Sequence, residues 1–234
     1  MRDQTIAIQA SRLTKAFGNR VVLRQIDLEV AEGEVVVFTG ANGAGKTTLL
    51  RCLASLSRPT SGEVRWLGRS AGADPAARRL LGMVPHQSCL YPHLTVRENV
   101  VFAARMQGLA DAGRRADEWL AAAGLGPHAH RLATHLSRGI RQRLALARAL
   151  VHDPPIVLMD EPFSGLDGEA AGWLVDLLAA FRGRGRAVCL TTHDPEKLQN
   201  LAGRIFHLGY GQIEPAEPRP LVATQEGPGM ARAA

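Results

Sequence analysis

The chain is poor in cysteine: Cys52, Cys89 and Cys189 are the only three in 234 residues, and they lie far apart. That spacing excludes a disulfide scaffold and a thiolate metal site. It reads as reduced thiols in a cytosolic protein. Long apolar runs are missing too. No uninterrupted stretch nears the roughly 18 residues that a membrane-spanning helix needs, and Met1-Arg2-Asp3-Gln4 leads into no apolar signal core. The expectation is a soluble chain, or one held at a membrane by a partner. No internal repeat recurs. Lys and Arg do not alternate with aromatics in a stripe, which argues against a nucleic-acid partner. The net charge of +6 then fits a nucleotide, an acidic membrane surface or plain solubility. With 46% hydrophobic and 21% charged residues, the chain can bury one sizeable core plus a small subdomain.

Residues 4–10 and 21–30 alternate polar and apolar side chains across a Gly18-Asn19 turn, so a small antiparallel sheet is expected first. Val35-Val36-Val37-Phe38 is instead continuously apolar, as in a strand buried on both faces of a parallel sheet. A glycine-rich loop and a helix through Leu49, Leu50 and Leu53 follow it. Residues 63–67 and 80–84 read as further strands. From residue 87 to 150 the pattern is helical, with Thr95-x-x-Glu98 as a capping box. Residues 156–159 and 187–192 are two more buried-type strands around a helix at 168–181, and residues 205–213 a terminal hairpin. The fold class is α/β. Its core spans 1–86 and 151–212, a helical subdomain of 87–150 is inserted, and residues 213–234 are expected as a flexible tail.

The chemistry gathers at strand ends. Gly40-Ala41-Asn42-Gly43-Ala44-Gly45-Lys46-Thr47-Thr48 contains G-x-x-x-x-G-K-T between a buried strand and a helix, the context that this phosphate-binding motif requires. Glycines let backbone N–H groups converge on phosphate oxygens, and the helix N-terminus adds partial positive charge. Lys46 can reach outer phosphates and Thr47 can hold Mg²⁺. Asp160 and Glu161 close the run 156–159, where open α/β sheets bind ligands. Asp160 would steady the Mg²⁺ shell and Glu161 would polarise an attacking water. His193 closes the strand at 187–192 on the same edge. His128, His130 and His135 share a loop, but no carboxylate or cysteine completes a metal site. Ser137 is a good N-cap for the helix at 138–151, which makes an anion site or simply a capped helix.

Together these segments resemble the ATP-binding cassette ATPases over residues 17–193: the phosphate loop, Gln87, the segment 136–150, Asp160-Glu161-Pro162, Ser164-Gly165-Leu166-Asp167 and His193. The resemblance implies a P-loop NTPase fold with a RecA-like, mostly parallel core, and ATP with Mg²⁺ as ligands. It implies that Phe17 stacks on adenine and that Gln87 touches Mg²⁺ and reports to a membrane partner. Ser137 and Gly139 would contact the terminal phosphate of ATP bound to a second cassette, so that two copies sandwich two ATPs head to tail. Asp167 would lie at that interface. The implied partners are integral membrane permease subunits, and the implied location is the cytoplasmic face of the inner membrane, peripherally bound.

Where the family usually reads Leu-Ser-Gly-Gly-Gln, this chain has Leu136-Ser137-Arg138-Gly139-Ile140. Arg138 brings a bulky cation near the expected phosphate, either adding attraction or crowding it. With His86-Gln87-Ser88 and the stretch 90–95, this segment looks like the haem-exporter branch concerned with cytochrome c maturation. Other exporters of the family are the alternative. A non-transport ATPase of the same fold would usually add coiled coils or a second cassette. A small-molecule kinase would explain the phosphate loop but not the segment 136–150.

Overall fold

The computed structural model describes residues 5–72 and 75–216. Two sheets carry the architecture. The first is antiparallel, in the order β2-β1-β4-β5, from β1 (Ile6–Phe17), β2 (Arg20–Ala31), β4 (Ser61–Trp66) and β5 (Arg69–Ser70). The second runs β10-β9-β3-β8-β7-β6. In it β3 (Val35–Thr39), β6 (Leu81–Val84), β7 (Ile156–Asp160), β8 (Ala187–Thr191) and β9 (Arg204–Gly209) are parallel, and β10 (Gln212–Pro215) returns antiparallel along β9. Mixed α/β layering around a mostly parallel sheet is the architecture expected above.

The continuous apolar runs are buried on both faces of this sheet, and the period of two divides them. Val35, Val37, Val157, Met159, Val188 and Leu190 face one core, and Val36, Phe38, Ile156, Leu158, Ala187 and Cys189 face the other. The second core is closed by α1 (Lys46–Leu53), through Leu49, Leu50 and Leu53, and by the antiparallel sheet, through Ile8, Leu13 and Leu23. The first is closed by α2 (Val96–Met106), α3 (Ala112–Ala122), α4 (Arg138–Leu150) and α5 (Gly168–Gly183). Trp66 is fully buried in the second core and donates its indole N–H to Leu53 O at 2.9 Å.

The Thr95–Glu98 capping box opens α2: Thr95 N donates to Glu98 Oε2 at 2.8 Å and Glu98 N to Thr95 Oγ1 at 3.2 Å. Helix α4 ends so close to β6 that a Cβ on Gly82 would lie 2.7 Å from Pro154 Cγ and 3.0 Å from Ala149 O, so this crossing admits only glycine without a shift.

Two boundaries differ from expectation. Strand β1 does not stop near residue 10 but continues to Phe17 past an irregularity between Ala10 and Leu13. There Arg12 takes φ 46 and its N–H donates to Asp27 Oδ1 at 2.8 Å, so the strand survives the bulge. The hairpin also runs to Pro215, into the segment 213–234 expected as tail, because Ile213 pairs with Leu208 and packs on the second core. The rest of that segment, 217–234, lies outside the described residues. Among the described residues, no helix is long and apolar enough to cross a membrane.

Candidate phosphate-binding and hydrolytic site

Parallel strands in one sheet deliver their C-terminal ends to one edge, and the site stands there. The loop after β3 needs its glycines: Gly40, Gly43 and Gly45 take φ 142, 78 and 110. A Cβ on Gly40 would fall 2.5 Å from Leu208 O, at the end of β9. Gly45 ends the loop as the N-cap of α1, with no side-chain cap and no acidic residue in the first turn. The helix therefore presents free N–H groups with no internal anion to satisfy them. Ala41, Asn42, Gly43 and Thr47 are exposed, and Ala44 and Thr48 are half-buried. Lys46 is buried and folds back over the loop, donating from Nζ to Gly40 O at 2.7 Å and to Ala41 O at 3.3 Å.

Opposite the loop stand the two carboxylates. Asp160 is 1% exposed, so its charge has to be met by donors inside the protein. Oδ2 accepts from Thr47 Oγ1 at 2.7 Å and Oδ1 from Thr191 Oγ1 at 2.8 Å. Thr191 Oγ1 in turn accepts from Glu161 N at 2.9 Å. Thr191 was not singled out from the sequence. Its signal is the parallel register that sets it opposite Asp160, which no linear spacing reveals.

Glu161 adopts φ 50, a left-handed conformation that costs a non-glycine residue of order 1 kcal/mol and clusters at functional sites. The turn aims the side chain between the Lys46 ammonium and the His193 imidazole: Oε1 lies 3.1 Å from His193 Nε2 and 4.0 Å from Lys46 Nζ. Neither approach is an aligned hydrogen bond, and Oε1 is a buried acceptor without a donor. A carboxylate oxygen in that position can take a water's proton. His193 itself is 56% exposed. A Mg²⁺ ion keeps several waters and needs only one or two protein oxygens beside substrate phosphates. Thr47 Oγ1 and Asp160 Oδ2, already adjacent, fit that demand.

The structure thus brings Lys46, Thr47, Asp160, Glu161 and His193 together. Phe17 and Gln87 stand at the flanks. Phe17 ends β1, half exposed, with Lys15 Nζ 4.8 Å from its ring centre. Its hairpin reaches the loop through Val22, whose Cγ1 would be 3.0 Å from a Cβ on Gly45. Gln87, exposed just past β6, borders a cavity of about 290 Å³ shared with Arg138, Arg141, Gln142 and Ser164. Ser137 and Gly139 open α4, with Ser137 Oγ accepting from Ile140 N at 3.4 Å. Among the described residues no hydrogen bond or ion pair links those two to the phosphate loop. Arg138 does not reach outward either. It turns onto its own chain and donates from Nη2 to Ser164 Oγ at 2.7 Å. The three loop histidines, 128, 130 and 135, form no metal cluster among the described residues.

Residues 23–164 match the family described as "ABC transporter". The chain is 38% identical over 223 residues to the glutamine transport ATP-binding protein GlnQ of Escherichia coli, covering 92% of this chain and 93% of that protein. It is 36% identical over 225 residues to the Nod factor export ATP-binding protein I of Paraburkholderia xenovorans, covering 94% and 74%. A solved structure described as a dimeric, post-hydrolysis state of the ATP-binding cassette MJ0796 bound to ADP and Pi is similar with a TM-score of 0.82. Its sequence identity is 31%, with 88% of this chain and 96% of that one covered.

Proposed function

The chain belongs to the ABC transporter family, and from that premise we propose that it is the ATP-binding and ATP-hydrolysing subunit of a transporter whose membrane-spanning subunits are separate polypeptides. The observation that carries this reading is the convergence of Lys46, Thr47, Asp160, Glu161 and His193 at one sheet edge, with Glu161 Oε1 buried and lacking a donor.

In this reading the N–H groups of residues 40–48 cradle the β- and γ-phosphates of ATP. Lys46 exchanges the carbonyls of Gly40 and Ala41 for phosphate oxygens. Thr47 and Asp160, with Gln87, hold Mg²⁺, which when bound neutralises charge on the bridging and terminal phosphate oxygens. Glu161 orients and polarises the attacking water, and His193 holds the terminal phosphate and the Glu161 carboxylate in line. Phe17 stacks on the adenine. Ser137 and Gly139 complete the site of a second copy, in keeping with the dimeric state in which the MJ0796 cassette was solved. The permease subunits hold the chain at the cytoplasmic face of the membrane, with Gln87 reporting nucleotide occupancy to them.

The test is a pair of substitutions. Glu161→Gln is expected to bind ATP and dimerise while releasing phosphate at least a hundredfold more slowly. Lys46→Ala is expected to lose nucleotide affinity. Full turnover in the first, or unchanged ATP binding in the second, would remove the assigned roles.

The finer reading, haem export for cytochrome c maturation, rests on the segments around Gln87 and Arg138. Relatives of comparable similarity carry names for glutamine transport and Nod factor export, so cargo is a separate question. Deleting the gene and measuring covalently bound haem in c-type cytochromes decides it: normal levels would discard haem export and leave the ATPase reading intact.

A further inference from the structure

The start of α4 grips the loop that follows Glu161 at three points. Gln142, buried, donates from Nε2 to Pro162 O at 3.1 Å. Arg138 Nη2 donates to Ser164 Oγ at 2.7 Å. Arg143 Nη2 comes within 3.9 Å of Asp167 Oδ1, while the same carboxylate oxygen caps α5 by accepting from Ala170 N at 2.8 Å. Arg138 also covers Gly165: a Cβ there would fall 2.3 Å from Arg138 Nε and 2.5 Å from its Cδ. Gly165 takes φ +78, so its backbone calls for glycine, and any side chain there would also have to displace Arg138. Gly139 lies on the same junction, where a Cβ would approach Gly165 O to 3.6 Å.

We propose that Arg138 is a positioning residue that splints the loop 162–167 to the first turn of α4, so that this loop and the turn bearing Ser137 and Gly139 shift as one body. The proposal rests on the ATPase reading above. Glu161 sits at a left-handed φ and its backbone is anchored on one side by Thr191. On the other side it leads directly into the splinted loop. A glycine at 138 would give Ser164 no donor and Gly165 no cover, loosening the chain three residues from Glu161. The planar guanidinium suits both tasks at once, since Nη2 meets the hydroxyl while the stem lies on the glycine. Its charge serves its own loop rather than the phosphate of a facing nucleotide.

Steady-state phosphate release by the purified full chain tests this in a double-mutant cycle of Arg138→Ala and Ser164→Ala. Each single substitution is expected to lower kcat about three- to fivefold, leave KM for ATP within about twofold, and give a double variant no slower than the worse single. Arg138→Lys should recover only part of kcat. Additive losses, full activity in either single variant, or a raised KM confined to Arg138→Ala would overturn the splint; the last would assign the arginine to phosphate binding. Should Arg138→Ala fail to fold, Ser164→Ala carries the test alone, because it removes only a hydroxyl: lowered kcat at constant KM supports the splint and unchanged kcat overturns it. Glu161→Gln runs alongside. A wild-type chain no faster than that variant overturns the ATPase reading and this proposal with it. Failure of the cycle with normal wild-type turnover overturns this proposal alone.

Discussion

Replacing Thr191 with valine isolates one oxygen atom at the heart of the site. Valine matches threonine in shape, and Thr191 is fully buried, so the packing contribution should stay near zero. What disappears is a hydroxyl that donates to Asp160 Oδ1 at 2.8 Å and accepts from Glu161 N at 2.9 Å. Asp160 is 1% exposed, so water cannot replace the lost donor there. A buried group left unsatisfied costs about 1–3 kcal/mol, more when it is charged. Counting the carboxylate near the top of that range and the N–H near the bottom gives about 3–4 kcal/mol, a large share of the ~5–15 kcal/mol typical of a folded domain. For a chain of this size that corresponds to a fall in Tm of about 10 °C. Urea unfolding followed by tryptophan fluorescence measures it directly. Thr191→Ser is the control, because it keeps the hydroxyl and removes only the methyl. Phosphate release by Thr191→Val should also drop about tenfold, because Glu161 loses the anchor of its left-handed backbone. A valine variant within about 0.5 kcal/mol of the serine variant would refute the reasoning and show that Thr47 alone satisfies Asp160.

The remaining predictions concern parts of the molecule around that centre. Burial pushes the His152 imidazole below its ordinary 6.5, with Nε2 against Leu81 O at 3.2 Å and Nδ1 buried without a partner. The unfolded chain therefore binds the proton first, so the stability that neutral His152 permits is present above about pH 6.5 and lost as pH falls through its lowered folded value. His152→Gln should flatten the difference in unfolding free energy between about pH 7.5 and pH 5.5, and an unchanged slope would contradict this. Asn99 is fully buried, its Oδ1 accepting from Tyr91 N at 2.8 Å and its Nδ2 donating to Thr95 O at 2.9 Å. Asn99→Ala should cost about 2–3 kcal/mol and admit protease cleavage near residue 91; resistance equal to wild type would argue that the loop holds itself. Phe17→Ala should weaken ATP binding about five- to tenfold while Phe17→Tyr does not, and calorimetric titration showing equal affinities would remove Phe17 from the adenine site.

The parts of the fold that were legible in the sequence are those where one physical signal dominates. Val35-Val36-Val37-Phe38 and residues 156–159 read as doubly buried strands because nothing polar interrupts them, and each is fully buried. The Thr95–Glu98 box was legible because capping is a local hydrogen-bond pattern. The carboxylates and His193 followed from strand ends meeting at one edge. Strand β1 was cut short because Arg12 enters a left-handed conformation mid-strand, and its Asp27 partner lies on another strand. Thr191 stayed hidden for a similar reason, since its role depends on which strand lies beside β7. The direction of Arg138 could not be read either. A cation beside an expected phosphate suggests attraction, whereas the local geometry offers it a hydroxyl and a bare glycine on its own chain.

The strand that launches the phosphate loop has both of its neighbours far away in the chain. Strand β3 pairs with β8 on one side and β9 on the other, more than half the sequence later, and Gly40 rests against Leu208. The antiparallel sheet, by contrast, begins with a hairpin of adjacent strands. During synthesis that hairpin can form early, while the edges of β3 stay open until β8 and β9 have left the ribosome. Such long-range pairing slows folding and exposes unpaired apolar strand edges to association. A chain cut short before Arg204 would keep every residue of the phosphate loop yet lack the strand against which that loop closes. Nucleotide binding is therefore expected late in folding, once β8 and β9 have closed on β3.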